Sequence, residues 1–279
     1  MTRFFAVEEA MSATDTAFAG SIPALYERHL GPLLFQPFAE DLAVRLKDIT
    51  SGRILETAAG TGIATRAIAA LLPAQVQIVA TDLNQAMLDL AQTKLQAANV
   101  TWQQTDAQSL SFEDASFDAV VCQFGVMFFP DKPAAYREAL RVLKPGGRFL
   151  FNVWDRLDAN LVSKIVSDEV IAMFPDDPPR FFERTPFGHF DEDRLRGELQ
   201  LAGFETIAVE PVDKVSHAPS ARDAATGLTQ GTPLRGEIEV RAPGRLEDVT
   251  ERTAQALAAR FGEGSIENRM RALVVTARR

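Results

Sequence analysis

Residues 53–72 read RILETAAGTGIATRAIAALL. A short apolar run, RILETA (53–58), enters a turn of small residues, and beyond it Ile63, Ala67, Ala70 and Leu71 fall on one helical face. Strand, glycine-containing turn and helix make one βα unit, and the pattern recurs downstream. VQIVATD (76–82) is a second strand, and Asn84 is placed to cap a helix carrying Met87, Ala91, Leu95 and Ala98 on one face. VTWQQTD (100–106) is a third strand. FDAVVCQF (117–124) is the most continuously apolar, as expected of a central parallel strand covered on both faces. Tyr136, Leu140 and Leu143 mark a helix expected to stop at KPGG, where Pro145 cannot continue it and Gly146 and Gly147 tolerate positive φ. RFLFNVW (148–154) is the fifth strand. The expected fold class is therefore α/β, with a doubly wound, mostly parallel Rossmann-like sheet.

The flanks are less regular. Residues 1–50 hold helical candidates, with Leu42, Leu46 and Ile49 in phase, and Gly31, Pro32 and Pro37 are expected to break them into short pieces. Beyond residue 155 the pattern predicts a helix over 161–173 and then a Pro- and Phe-rich stretch, FPDDPPRFFERTPFGHF, without clean period. A helix ended by Gly203, a strand ETIAVEPVDKV, a helix near 247–261 and a last strand RMRALVVTAR follow. With no internal repeat and no Gly/Ser linker, the expectation is one domain over 1–279: a helical cap (1–50), a ligand-binding core (51–155), and a lid that also completes the sheet (156–279).

Composition narrows the partners. With 29 basic against 38 acidic residues, a net of −9, a broad phosphate-binding surface is not expected, which argues against nucleic acid. The basic residues between Arg235 and Arg245 alternate with Glu237 and Glu239 and read as a solvated face. A lone cysteine, Cys122, fits a reducing compartment and excludes an intramolecular disulfide framework or a thiolate zinc site, so no metal is expected. The opening MTRFFAVEEAMSATDTAFAG lacks a secretory h-region and no segment has the apolar length of a membrane span; the expectation is a cytoplasmic protein, with a homodimer left open.

The residues that carry chemistry fall at strand ends, where an open parallel sheet binds its ligand. Glu56-Thr57-Ala58-Ala59-Gly60-Thr61-Gly62 lets a ligand approach the backbone at a helix N-terminus. Asp82 ends the second strand, where a carboxylate can accept both hydroxyls of a ribose. Asp106 ends the third, where it can accept an exocyclic adenine amine while the Ala107 N–H faces a ring nitrogen. Three acids at three successive strand ends describe a nucleotide-like ligand.

ILETAAGTG, VATDLNQAMLDLA, QTDAQSL, FDAVVCQFGVMFF and LKPGGRFLFNVW follow the order found in class I S-adenosylmethionine-dependent methyltransferases, and the chain most resembles the small-molecule branch that includes ubiquinone and menaquinone biosynthesis enzymes. The resemblance covers residues 53–155 and implies a seven-stranded sheet whose antiparallel last strand comes from the tail. It also implies S-adenosyl-L-methionine as cofactor. Glu56, Ala58, Gly60 and Gly62 are then placed around the methionine part, Asp82 and Leu83 at the ribose, Asp106 and Ala107 at adenine, and Gln123 and Phe124 near the sulfonium, with Met87 a further cofactor contact. The sequence departs from the family at Ala58, where the first glycine of Gly-x-Gly-x-Gly is usual, and at Glu56, where Asp is commoner. A nicotinamide-dependent oxidoreductase fits less well, because Thr65 occupies the third small position of that fingerprint and Asp106 and KPGG go unexplained. A nucleotide-binding protein of the same fold that has lost turnover is the other alternative.

Two motifs mislead. Asp177-Pro178-Pro179-Arg180 resembles the signature of amino-methylating nucleic-acid enzymes but follows the wrong strand and ends in arginine. Cys122-Gln123 lacks the preceding proline of cytosine-C5 enzymes, and Cys122 reads as a small buried strand residue. For a weakly acidic acceptor a base would help, and His189, in TPFGHF, and His29, in the cap, are the candidates. By resemblance Tyr26 of the cap lies over the cofactor. Nineteen Phe against two Tyr and two Trp, with Phe128, Phe129, Phe174, Phe181, Phe182, Phe187 and Phe190 in loops, point to a small apolar or aromatic acceptor.

Overall fold

The computed structural model describes Asp15 and residues 20–279, so the first turns of the expected cap and the reading of the N-terminal stretch lie almost wholly outside the described residues. Seven strands form one sheet: β1 (Gly52–Glu56), β2 (Val76–Asp82), β3 (Val100–Gln104), β4 (Phe117–Gln123), β5 (Leu143–Trp154), β6 (Thr206–Ala218) and β7 (Ile266–Arg278), in the order β3-β2-β1-β4-β5-β7-β6. β1 to β5 pair in parallel, while β7 runs antiparallel to both β5 and β6. The order reverses between β1 and β4, so the carboxyl ends of β1 and β4 flank the switch point where a ligand fits.

The helices are α1 (Ile22–Leu25), α2 (Gln36–Val44), α3 (Ile63–Leu71), α4 (Gln85–Lys94), α5 (Lys132–Val142), α6 (Leu161–Met173), α7 (Phe181–Arg184), α8 (Glu192–Ala202), α9 (Ala221–Gln230), α10 (Leu234–Arg241) and α11 (Leu246–Phe261). Period-2 alternation sends the strand side chains to two faces. Ile54, Ile78, Val121 and Leu150 pack against Leu42, Leu46 and Ile68, while Leu55, Val120, Phe149 and Phe151 pack with Tyr136, Leu195 and Leu199. Each such side chain taken fully from water contributes about 1.5–3 kcal/mol, so both faces hold the helices down. The caps follow from sequence: Asp131 accepts from Ala134 N (2.9 Å) at α5, Asp191 from Arg194 N (2.9 Å) at α8, and Gly203 ends α8 at φ 107°.

Three expectations change. Gly31, Pro32 and Pro37 do not fragment the cap: α1 and α2 are joined through a π-helical stretch, Tyr26–Phe35, in which Gln36 N donates to Gly31 O, and Pro37 sits in the first turn of α2. The wider turn accommodates a proline whose ring would strike the i−4 carbonyl of an α-helix. KPGG does not end α5 either. The helix stops at Val142, Leu143 is already extended and pairs with Phe117, and Gly146 (φ 81°) lies within β5, near the register shift opposite Phe117 and Ala119. The Arg235–Arg245 segment is not simply a solvated face: α10 buries Leu234 and Ile238, Arg235 donates to Ser21 Oγ (2.7 Å), and Arg241 pairs with Asp177 (3.0 Å). With α9 and α11 it forms an insertion between β6 and β7.

Candidate active site

The loop after β1 is set by backbone geometry. Ala58, Gly60 and Gly62 have φ of 53°, 56° and 77°, so three residues in five are left-handed, and the loop folds back over the sheet end. Ala59 N donates to Thr81 O (2.8 Å) and Gly60 N to Asp82 Oδ2 (2.8 Å), tying the loop to β2. Asp82 Oδ1 accepts from Asn84 N (2.8 Å), and Asp82 lines a cleft outside the strand ends with acceptor capacity left over. Burial raises the Asp82 carboxyl, and the hydrogen bonds from Asn84 and Gly60 pull against it. At the far side Asp106 Oδ1 accepts from Gln108 N (2.9 Å), while Gln108 Oε1 accepts from Asp131 N (2.7 Å), so the end of β3 is braced by the start of α5.

The cap closes the near side. Tyr26 stacks on Phe35 with centroids 4.7 Å apart, and burial beside Asp82 and Glu27 holds its phenol well above the usual range. Glu27 accepts from Thr61 Oγ1 (2.5 Å) and pairs with Arg66 (2.7 Å), whose other arm donates to Thr61 O (2.8 Å); cap, loop and α3 are thereby latched together. Gln123 Nε2 donates to Phe35 O (2.7 Å) from the end of β4. Next to it Phe124 is left-handed (φ 50°), held by Asn152 Oδ1 accepting its N–H (2.9 Å) and by stacking on Trp154 at 3.9 Å. Behind this partition lies a second, smaller cavity, bounded by cap and lid and lined almost wholly by apolar side chains, among them Leu34, Trp154, Phe181, Phe182 and Phe187. Tyr26, Phe124 and Phe128 line both cavities and form the boundary between them.

A family model described as a methyltransferase domain matches residues 55–151. The chain is 32% identical over 179 residues to a ubiquinone/menaquinone biosynthesis C-methyltransferase of Saccharophagus degradans, covering 59% of this chain and 72% of that protein. A Pseudomonas aeruginosa protein of the same description matches at 32% identity over 178 residues, covering 59% and 70%. The chain belongs to the class I S-adenosylmethionine-dependent methyltransferases. Its fold is also that of a phosphoethanolamine N-methyltransferase of Haemonchus contortus bound to S-adenosylhomocysteine, with a TM-score of 0.59 and 17% identity over 95% of this chain and 59% of that one.

The cleft of this methyltransferase suits its cofactor, S-adenosylmethionine, on chemical grounds. Two carboxylates at its ends match ribose hydroxyls and an exocyclic amine, and the wall between them carries apolar side chains such as Leu83, Met87 and Phe129 for a flat base. Of the twelve residues that sequence reasoning assigned to the cofactor, ten line the cleft, and Glu56 and Gly62 do not. Glu56 is fully buried behind the loop, accepting from Thr65 Oγ1 (2.6 Å), and desolvation pushes its carboxyl up to about 8. Gly62 begins α3, and a Cβ there would meet Trp102 at 2.7 Å and Ala91 at 3.2 Å; the glycine serves helix packing against β3 and α4.

Neither histidine candidate reaches a cavity wall. His189 is 4% exposed, with Nε2 3.2 Å from Glu198 and 3.4 Å from the Tyr136 hydroxyl, and burial keeps its pKa below the usual value. His29 turns to Asp223 (3.3 Å) and is likewise lowered by burial. Of the seven loop phenylalanines, Phe128, Phe181, Phe182 and Phe187 line the inner chamber and Phe129 the cleft, whereas Phe174 packs on the core and Phe190 is 36% exposed. Cys122 is buried, and its thiol is pushed up to about 12. Sequence reasoning missed Asn84, Thr105, Gln108 and Gly125 in the cleft, all within two residues of a recognised position, and Leu228 and Thr232 in the chamber, for which the unassigned α9 gave no signal. Among the described residues no helix is long and apolar enough to cross a membrane.

Proposed function

We propose that this methyltransferase transfers the methyl group to a small, apolar acceptor with a flat ring, seated in the inner chamber and meeting the donor between Tyr26, Phe124 and Phe128. The observation that carries this reading is the apolar chamber that lies against the cofactor cleft and shares those three side chains with it. The named relatives are C-methyltransferases of quinone biosynthesis, and a chamber walled by Phe, Trp and Leu is consistent with an aromatic or quinonoid acceptor.

Asp82 and Asp106 hold the nucleoside end of the cofactor, Ala58 and Gly60 leave room for the methionine end, and Gln123 and Phe124 stand at the reacting end. The bound cofactor supplies an activated methyl on a sulfonium. The chain supplies alignment of two reactants and exclusion of water. No histidine, lysine or carboxylate of the described residues lines the chamber, so the acceptor brings its own nucleophilic atom and no histidine takes its proton.

The test has two arms. Calorimetric titration is expected to give micromolar S-adenosylmethionine binding to the wild type, none to Asp82→Arg, and no NAD binding to either. Incubation with a panel of phenols, quinones and polar amines is then expected to give mass-shifted product only from the apolar ring compounds. Unchanged cofactor affinity in the variant, or turnover confined to polar amines, refutes the proposal.

A further inference from the structure

The wall of the inner chamber carries three hydroxyl side chains, Tyr26, Ser163 and Thr232, beside the indole of Trp154, whose N–H can donate but not accept. Tyr26 belongs to the mouth shared with the cleft. Thr232 is satisfied by the chain itself: its hydroxyl donates to Leu228 O (2.8 Å) and accepts from Leu234 N (3.3 Å). Ser163 differs from both. It lies in the first turn of α6, is 2% exposed, and its hydroxyl makes no hydrogen bond to any described residue, although Ser167, one turn on, is bonded to Glu183. Nothing in helix geometry requires a serine there. The N-cap Asn160 is occupied with Asp155 O, Arg156 O and Arg271 O, and takes no help from Ser163. The hydroxyl oxygen is not among the fully enclosed unpartnered atoms of the described residues, so it keeps access to the chamber it lines and is free to bond what enters there.

We infer that Ser163 is the hydrogen-bonding anchor of the acceptor, holding an oxygen of an otherwise apolar ring compound inside the chamber. The inference rests on the proposed reading of the chamber as the acceptor site. Ser163 lines the chamber but not the cleft, and the two meet only at Tyr26, Phe124 and Phe128. An oxygen held by Ser163 fixes how the ring lies relative to those three residues, and the anchor thereby selects which ring atom meets the methyl group. Its hydroxyl both donates and accepts, so a phenol or a ring carbonyl satisfies it equally. Ser163 is thus a positioning and specificity residue, with no part in the bond that forms.

The test uses protein saturated with S-adenosylhomocysteine and two probes of nearly equal shape, p-cresol and p-xylene, titrated calorimetrically into the wild type and Ser163→Ala. The expected result is a loss of about five- to tenfold in p-cresol affinity in the variant, the size of one hydrogen bond, with p-xylene unchanged. Without probes, the variant is expected to melt close to the wild type, because no hydrogen bond within the described residues is lost. Equal weakening of both probes, no change in either, or a clear fall in melting temperature overturns the assignment of Ser163 while leaving the chamber intact as the acceptor site. Failure of both probes to bind the wild type overturns the reading of the chamber and the anchor with it.

Discussion

Glu56→Gln is expected to make the protein more stable than the wild type, by an amount that grows with pH. Glu56 sits at the end of β1, fully buried, with the Thr65 hydroxyl donating to its carboxylate and Asp82 repelling it from across the loop. Its folded pKa of about 8 lies above the ordinary 4.5. An acid raised in this way binds its proton more tightly in the folded state, so its contribution is complete below pH 4.5 and is lost as the pH rises through 8. Integrating the linkage from pH 5 to pH 9 gives a loss of about 4 kcal/mol in the wild type. Glutamine keeps the shape and the acceptor for Thr65 but cannot ionise, so the variant lacks this loss. Asp82, raised chiefly by burial, is present in both proteins, and its repulsion of Glu56 acts in the same direction. Urea unfolding of both proteins between pH 5 and pH 9 checks the argument; at a slope of about 3 kcal/mol/M the gap between midpoints should widen by about 1.3 M. A gap that stays constant across that range would show Glu56 ionised without penalty and would refute the buried-acid reading of the loop.

Ala58→Gly should raise the melting temperature by about 1–3 °C, because the left-handed backbone at φ 53° costs an L-residue about 1–2 kcal/mol, only partly offset by the greater freedom of glycine in the unfolded chain. A lower melting point would mean that the Ala58 methyl contributes more by packing than its backbone costs. His189→Gln should leave turnover within about twofold and its pH profile unshifted while lowering the melting temperature, since the ring bonds to Glu198 and Tyr136 and lines neither cavity. A loss of about a hundredfold in turnover by a variant that remains folded would restore His189 as a general base.

The sheet and the cofactor residues could be read from the sequence because both depend on local signals. Apolar periodicity marked β1 to β5 and the helices between them, and a ligand at the carboxyl ends of strands draws on the last residue of a strand or the two that follow, which is where Asp82, Asp106 and Ala58 were sought and found lining the cleft. The same reasoning grouped Glu56 and Gly62 with them although neither lines the cleft, because a linear motif shows which residues lie near a loop but not which side of it they face. Only the folded loop turns Glu56 back toward Thr65 and puts Gly62 beneath Trp102.

The acceptor side was decided by tertiary structure. The chamber is assembled from the cap, the end of β5, the lid and α9, segments from Tyr26 to Thr232 that no sequence period links. Pro32 looked like a helix break until the π-helical turn accommodated it, and His189 looked like a base until α5 and α8 enclosed it. The sequence by itself determined the strand order's local units, the cofactor class and the wealth of phenylalanine, all carried by short-range patterns. Which phenylalanines face the acceptor, and that the unbonded hydroxyl of Ser163 faces it too, depends on long-range packing, where each side chain's surroundings come from residues far away in the chain.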